Sequence, residues 1–234
     1  MNVFALIPAY NEADLIGQTL AAVQSIPSIT KVIVIDDGST DGTDKIVKRQ
    51  GIRLIRSNQN QGKGAALQAG AEAIRNYDFD AVLLLDADLG ISASEAEYLL
   101  GPLEDDLADM IIGVLPKPAE PGGFGVVRNL ARKAIRDLGG GYSAEAPLSG
   151  QRALNWKCFQ AVLPFSAGYG VEVGMTITAL KKNLRVYEVM VNMHHRETSR
   201  DLPGFIHRGR QYLDVHHTIH QLTKEPFFDT KDSK

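Results

Sequence analysis

Short apolar runs rich in Leu or β-branched residues recur through the first half of the chain, at residues 3–9, 31–36, 52–56, 81–85 and 110–115. Runs of this length and continuity are the pattern of strands buried on both faces. Between them the apolar positions shift to helical spacing. Leu15, Ile16, Leu20, Val23 and Ile26 form one helical face. Ile46 and Val47 mark a second, with Asp41 as its start signal, and residues 63–75, rich in Ala, Gln and Glu, a third. Ser92 is placed to cap a helix over 93–100, with Glu95 at the capping-box position. Strand and helix alternating with short connections predict an α/β fold: a mixed, mainly parallel sheet with helices on both faces.

The second half is less regular. Residues 116–125, rich in Pro and Gly, read as a loop, 126–138 as a helix broken by Gly139-Gly140-Gly141, and 147–152 as another loop. Residues 155–162 and 171–182 read as helices, 185–193 as a strand, 201–222 as a long helix and 225–234 as a polar tail. The chain of 234 residues, 44% of them hydrophobic, suits one domain over 1–224.

Charge and composition narrow the function. A formal net charge of −3 lacks the basic excess of a general nucleic-acid binder. The single cysteine, Cys158, excludes an internal disulfide and fits a reducing, cytoplasmic setting. The opening residues lack a basic region before their apolar run, so no secretory signal is expected. No apolar run reaches the roughly 20 residues of a membrane span. Any membrane role would then be peripheral.

Ligands of such sheets bind beyond the carboxyl ends of the strands. Three polar strand ends should gather there: Tyr10-Asn11-Glu12, Asp36-Asp37-Gly38-Ser39 and Asp86-Ala87-Asp88. Their carboxylates repel unless a cation or a donor-rich ligand lies among them. Asp86 and Asp88, one residue apart, can share a hard divalent ion. An ion there would offset charge growing on a leaving phosphate. An isolated Asp-x-Asp reads as readily as a turn with solvated aspartates. Glu172 opens a helix after Gly168-Tyr169-Gly170, where it can serve an acceptor hydroxyl, as ligand or base, or only the helix dipole. All six histidines follow residue 193; His216, His217 and His220 read as a solvated helix face. Arg196, Arg200, Arg208, Arg210 and Lys224 outnumber the nearby Glu197, Asp201 and Asp214, a modest positive excess suited to phosphate, to anionic lipid or simply to solvent.

Four segments in order, Pro8-Ala9-Tyr10-Asn11-Glu12, residues 34–41 around Asp36-Asp37-Gly38-Ser39, Asn60-Gln61-Gly62-Lys63-Gly64 and Asp86-Ala87-Asp88, resemble the family 2 glycosyltransferases of the GT-A fold. That resemblance implies a nucleotide-diphosphate sugar as donor and a magnesium or manganese ion. It assigns Pro8, Ala9, Tyr10 and Glu12 to the nucleoside pocket, Asp37 to the base or ribose, and Lys63 and Asp86 to the donor's surroundings. It makes Asp86 and Asp88 metal ligands and gives Asp88 a part in catalysis beside Glu172. A histidine after the last strand supplies a third ligand in the family; His195 fits that place best, with His194 its rival on the opposite face.

Residues 1–115 then form the nucleotide-sugar half and 116–224 the acceptor half. Ser149-Gly150-Gln151-Arg152 resembles an acceptor loop, with Arg196 nearby. Polyprenyl-phosphate mannosyltransferases carry Ser-Gly-Phe-Arg there, so Gln151 replaces their aromatic. Pro164-Phe165 and Gly168-Tyr169-Gly170-Val171-Glu172 look more like the glucosyl-3-phosphoglycerate synthases. The expected reaction is hexose transfer from a UDP-glucose-like donor to a phosphorylated small molecule. The alternatives are a polyprenyl-phosphate sugar synthase at the inner membrane face and, in other classes, a sugar-phosphate nucleotidyltransferase or a sugar-nucleotide sensor. A homodimer is left open. Residues 116–125 and 139–146 are the segments expected to close over the donor.

Overall fold

The computed structural model describes residues 1–116, 125–195 and 202–224, with backbone alone over 202–208. Most of the 116–125 loop, the 225–234 tail, Arg196 and Arg200 lie outside the described residues, as does the Arg208 side chain.

The five apolar runs form strands β1 (Val3–Ala9), β2 (Ile29–Asp36), β3 (Arg53–Arg56), β4 (Ala81–Leu84) and β5 (Met110–Val114). They join β6 (Arg152–Asn155) and β7 (Val186–Met190) in one sheet of order β3-β2-β1-β4-β6-β5-β7. All neighbours are parallel except β6, which runs antiparallel to β4 and β5. β6 corrects an expectation: its first residue was read as the end of a loop and its last as the start of a helix.

The strand period of two sends alternate residues into two cores. Val3, Ala5, Ile7 and Ala9 join Val32, Val34, Ala81, Leu83 and Ile111 on one face. Helix α1 (Ile16–Gln24) covers them with Ile16, Leu20 and Val23, and α2 (Thr43–Arg49) with Val47. Phe4, Leu6, Ile33, Ile35, Val82, Leu84, Met110 and Ile112 face the other way. There α3 (Lys63–Ile74), α6 (Trp156–Ala161) and α7 (Val171–Lys181) close over them. Beyond α7 a third apolar cluster joins α5 (Val126–Leu138) and α8 (Leu202–Thr223). A one-turn helix, α4 (Gly101–Glu104), precedes β5.

One helix start differs from expectation and one agrees with it. Residues Gly90–Leu99 form a 3-10 helix with no side-chain cap. The Ser92 hydroxyl instead donates to the Leu89 carbonyl at 2.7 Å, which removes it from any capping box. Helix α2 starts after Gly42 in a left-handed conformation, and Asp41 accepts from the Thr43 N–H and hydroxyl at 3.0 and 2.6 Å.

Candidate active site

From β1 the chain leads to β2 on one side, while β4 takes the other, so the strand order turns between β1 and β4. A crevice opens at such a switch point beyond the carboxyl ends. The three polar strand ends meet along this edge: Ala9 pairs with Asp36, and Leu6 with Leu84. The β1 and β2 loops are tied together. Asn11 N–H donates to Ser39 Oγ at 2.9 Å, Thr40 N–H to Asn11 Oδ1 at 2.8 Å, and Glu12 N–H to Thr43 Oγ1 at 2.9 Å. Tyr10 is left 45% exposed at the mouth of this edge, free to lie against a planar ring.

The adjacent aspartates have structural partners. Asp36 is fully buried, with Arg56 Nε at 3.2 Å and an N–H from Ser39 at 2.9 Å. Asp37 accepts from the backbone of Gln61 at 3.0 Å and of Gly62 at 2.7 Å. It therefore holds the 61–62 turn that starts α3. Gly64 brings that helix start against the 166–168 turn; a Cβ there would stand 2.1 Å from the Ser166 carbonyl oxygen.

This packing aims Lys63 between two carboxylates. Its Nζ lies 2.5 Å from Asp86 Oδ1 and 2.7 Å from Glu172 Oε1. Glu172 sits in the first turn of α7 and is buried. Burial opposes the Lys63 charge, yet Asp86 and Glu172 raise its ammonium above the ordinary lysine range. Burial alone would raise the Asp86 carboxyl, but Lys63, then His195 and Gln151, hold it down at about 2.

His195 completes the cluster. Its Nδ1 lies 3.3 Å from Asp88 Oδ1 and 3.8 Å from Asp86 Oδ2. Burial opposes its charged form, while the Asp88 contact and the Asp86 charge raise its pKa. Ser92 and Glu95 place this segment: Ser92 Oγ accepts from His194 N–H at 3.0 Å and Glu95 Oε2 from Asn192 N–H at 3.1 Å. The two histidines follow the end of β7, and His195 is the one that joins the aspartates.

One ligand atom each from Asp86, Asp88 and His195 lies within 4.8 Å of the others. An octahedral ion with bonds of about 2.1 Å spaces its neighbouring ligands about 3 Å apart and its opposite ones about 4 Å. Small inward shifts would thus let all three share one divalent ion. Charge agrees. Asp86, Asp88 and Glu172 converge here, with Lys63 between Asp86 and Glu172, His195 beside Asp86 and Asp88 and Arg152 behind Glu172, and a divalent cation would be attracted to the two aspartates.

The expected acceptor loop sits close by. Gln151 is fully buried and bonded to Asp86, and Ser149 Oγ accepts from the Gln151 N–H at 3.3 Å. Arg152 is fully buried: its Nε donates to the Ser149 carbonyl at 2.9 Å and its Nη1 to Thr176 Oγ1 at 2.8 Å. Burial pulls its pKa down to about 10, with Glu172 and Glu188 opposing. A guanidinium so enclosed braces the loop from behind. Residues 144–146 are also tied: Arg132 Nε donates to the Ala144 carbonyl, and Glu188 accepts from the Glu145 and Ala146 N–H groups. His216, His217 and His220 are exposed along α8.

Sequence reading missed the Lys63–Glu172 pair and the Gln151–Asp86 contacts. Both join residues far apart in the chain, and only their proximity to glycines (Gly62, Gly64, Gly150) marks them locally.

The glycosyl transferase family 2 model matches residues 4–158. An undecaprenyl-phosphate mannosyltransferase of Micrococcus luteus is 27% identical over 212 residues, covering 84% of this chain and 85% of that protein. A glucosyl-3-phosphoglycerate synthase of Mycolicibacterium paratuberculosis is 28% identical over 201 residues, covering 75% of this chain and 59% of that protein. The crystal structure of glucosyl-3-phosphoglycerate synthase from Mycobacterium tuberculosis with Mn2+ and UDP-glucose superposes with a TM-score of 0.76 at 26% identity, covering 98% of this chain and 80% of that one.

Proposed function

The chain belongs to glycosyl transferase family 2, and from that premise we propose that it moves a hexose from a UDP-glucose-like donor to a phosphorylated acceptor, with Mg2+ or Mn2+ held by Asp86, Asp88 and His195. One observation carries the reading: two strand-end aspartates and a histidine from the far end of the sheet converge at the switch-point crevice. The similarity to a synthase whose structure holds Mn2+ and UDP-glucose supports the choice of donor and ion.

The protein's own groups have distinct tasks in this reading. Pro8, Ala9, Tyr10 and Glu12 line the nucleoside side, and Asp37 shapes the turn beneath it. The ion, when bound, offsets charge on the departing diphosphate. Lys63, bridging Asp86 and Glu172, links the donor side to the acceptor side. Glu172 orients the acceptor hydroxyl, and Arg152 acts through the loop it braces.

A thermal-shift panel of UDP-, GDP- and dTDP-sugars, with and without Mn2+, tests the donor. The melting temperature should rise most with a UDP-sugar and the ion together, by mass action on the native state. No response to any of the three would refute the reading.

A second reading rests on the relative named for an undecaprenyl-phosphate acceptor, which matches across most of its length. Among the described residues no helix is long and apolar enough to cross a membrane, so an enzyme of that kind would meet its lipid at the surface. Radiolabelled product decides: a water-soluble anionic sugar supports the first acceptor class, a solvent-extractable lipid the second.

A further inference from the structure

Gln151 meets Asp86 twice. Its Oε1 accepts from the Asp86 backbone N–H at 3.0 Å, and its Nε2 donates to Asp86 Oδ2 at 2.7 Å. These contacts fix the amide's orientation, because a flip would set an oxygen against the carboxylate and an NH2 against an N–H. Gln151 is fully buried, and its carbonyl accepts from Gly113 N–H at 2.8 Å, so its backbone is locked into the sheet. The preceding residue lies close against the same side chains. A Cβ on Gly150 would stand 2.4 Å from Lys63 Nζ and 2.7 Å from both Asp86 carboxylate oxygens. Residues 150 and 151 thus pack directly on Asp86.

We propose that Gln151 is a positioning residue for divalent-cation binding, holding the Asp86 carboxylate so that Oδ2 faces Asp88 and His195. The inference rests on the reading of those three residues as ion ligands. Oδ2, the oxygen that Gln151 holds, is the one 3.8 Å from His195 Nδ1, while Lys63 holds Oδ1. A carboxylate already fixed by outer hydrogen bonds loses less freedom on ligation, and such outer partners set affinity. An aromatic at this position, as in Ser-Gly-Phe-Arg loops, could make neither contact. The residue is therefore placed to tune the ion site.

The test is Mn2+ affinity, read from the electron paramagnetic resonance signal of the free ion in the full-length chain with saturating UDP. Gln151→Met keeps the volume and removes both Asp86 contacts, together with the 3.5 Å approach of Nε2 to His195 Nε2. It should weaken Mn2+ binding about tenfold, while UDP affinity at saturating Mn2+ stays within about twofold of wild type. Gly150→Ala leaves Gln151 in place but presses on the same carboxylate, and should also weaken Mn2+. If Gln151→Met does not fold, Gln151→Asn, whose shorter amide cannot span both Asp86 groups, takes its place. Unchanged Mn2+ affinity in a folded variant overturns the inference and leaves the ion site standing. An equal loss of Mn2+ affinity, UDP affinity and melting temperature also overturns it, as general damage. A wild-type protein that binds no Mn2+ sinks the underlying reading as well.

Discussion

Lys63→Met separates the two positive charges that the site can hold. Lys63 lies between Asp86 and Glu172, at 2.5 and 2.7 Å. Removing one partner of a buried pair costs about 3–5 kcal/mol. The Lys63 and Asp86 side chains keep 18% and 22% exposure, so water recovers part of this and about 2–4 kcal/mol remains. For a chain of this size that is a drop of roughly 5–15 °C in melting temperature. The ion should behave oppositely. A unit charge and a divalent ion about 5 Å apart repel by roughly 7 kcal/mol at an effective dielectric constant of about 20. Water and salt at this partly exposed site reduce that several-fold, to about 1–2 kcal/mol. Mn2+ should therefore bind Lys63→Met about tenfold more tightly than wild type and restore much of the lost stability. Transfer activity should fall, because Glu172 has lost the partner that aims it. Calorimetric melting with and without Mn2+, joined to a Mn2+ titration, measures both effects. An equal melting-temperature deficit with and without saturating Mn2+ would refute the idea that Lys63 and the ion serve the same carboxylates.

Three further outcomes are expected. Asp88→Asn should lower Mn2+-dependent transfer by at least about a hundredfold with melting nearly unchanged, since Asp88 faces His195 rather than Lys63; activity assayed over a Mn2+ series checks it. Gly64→Ala should destabilise the fold by about 2–4 kcal/mol in urea unfolding, because the new methyl meets the Ser166 carbonyl at 2.1 Å and backbone must shift. Asp109 gives the acid limb of stability: burial would raise its carboxyl, but hydrogen bonds from Arg185 and Asn155 hold it at about 2. A depressed native pKa adds stability above the ordinary value of 3.8 that is lost as pH falls through about 2. Asp109→Asn should thus cost about 1–2 kcal/mol near pH 6, discounted because Arg185 is 42% exposed, and the deficit should shrink as pH falls below 3.8 and close near about 2 in urea titrations.

The elements that were legible are those whose surroundings act along the chain. Strands β1, β2, β4 and β5 lie between two layers, so nearly every residue is apolar and the run stands out. β6 has four residues, and Arg152 and Asn155 at its ends are polar, so no pattern exists to read. Its Arg152 is buried only because the 149–151 loop and Thr176 accept from the guanidinium, partners fixed by tertiary packing. Ser92 and Glu95 show the converse. Their spacing matched a capping box, but both receive N–H groups from the 192–194 segment about a hundred residues away. The local signal was real hydrogen-bonding capacity directed at a distant partner.

The antiparallel strand also explains why the 149–152 loop lies on the Asp86 carboxylate. In a fully parallel sheet only segments that follow strands reach the carboxyl edge, so residues before a strand lie at the opposite end. β6 reverses this. Leu84 pairs with Arg152, and continuing past Leu84 toward Asp86 meets the chain running back through Gln151 and Gly150. The segment that enters β6 thereby shares an edge with the segment that leaves β4. One reversed strand thus puts the glutamine amide against the aspartate and lets Arg152, on the buried side, brace the same turn. Site geometry then depends on the β4–β6 register. A one-residue slip would turn Gln151 to the other face and lose both Asp86 contacts together.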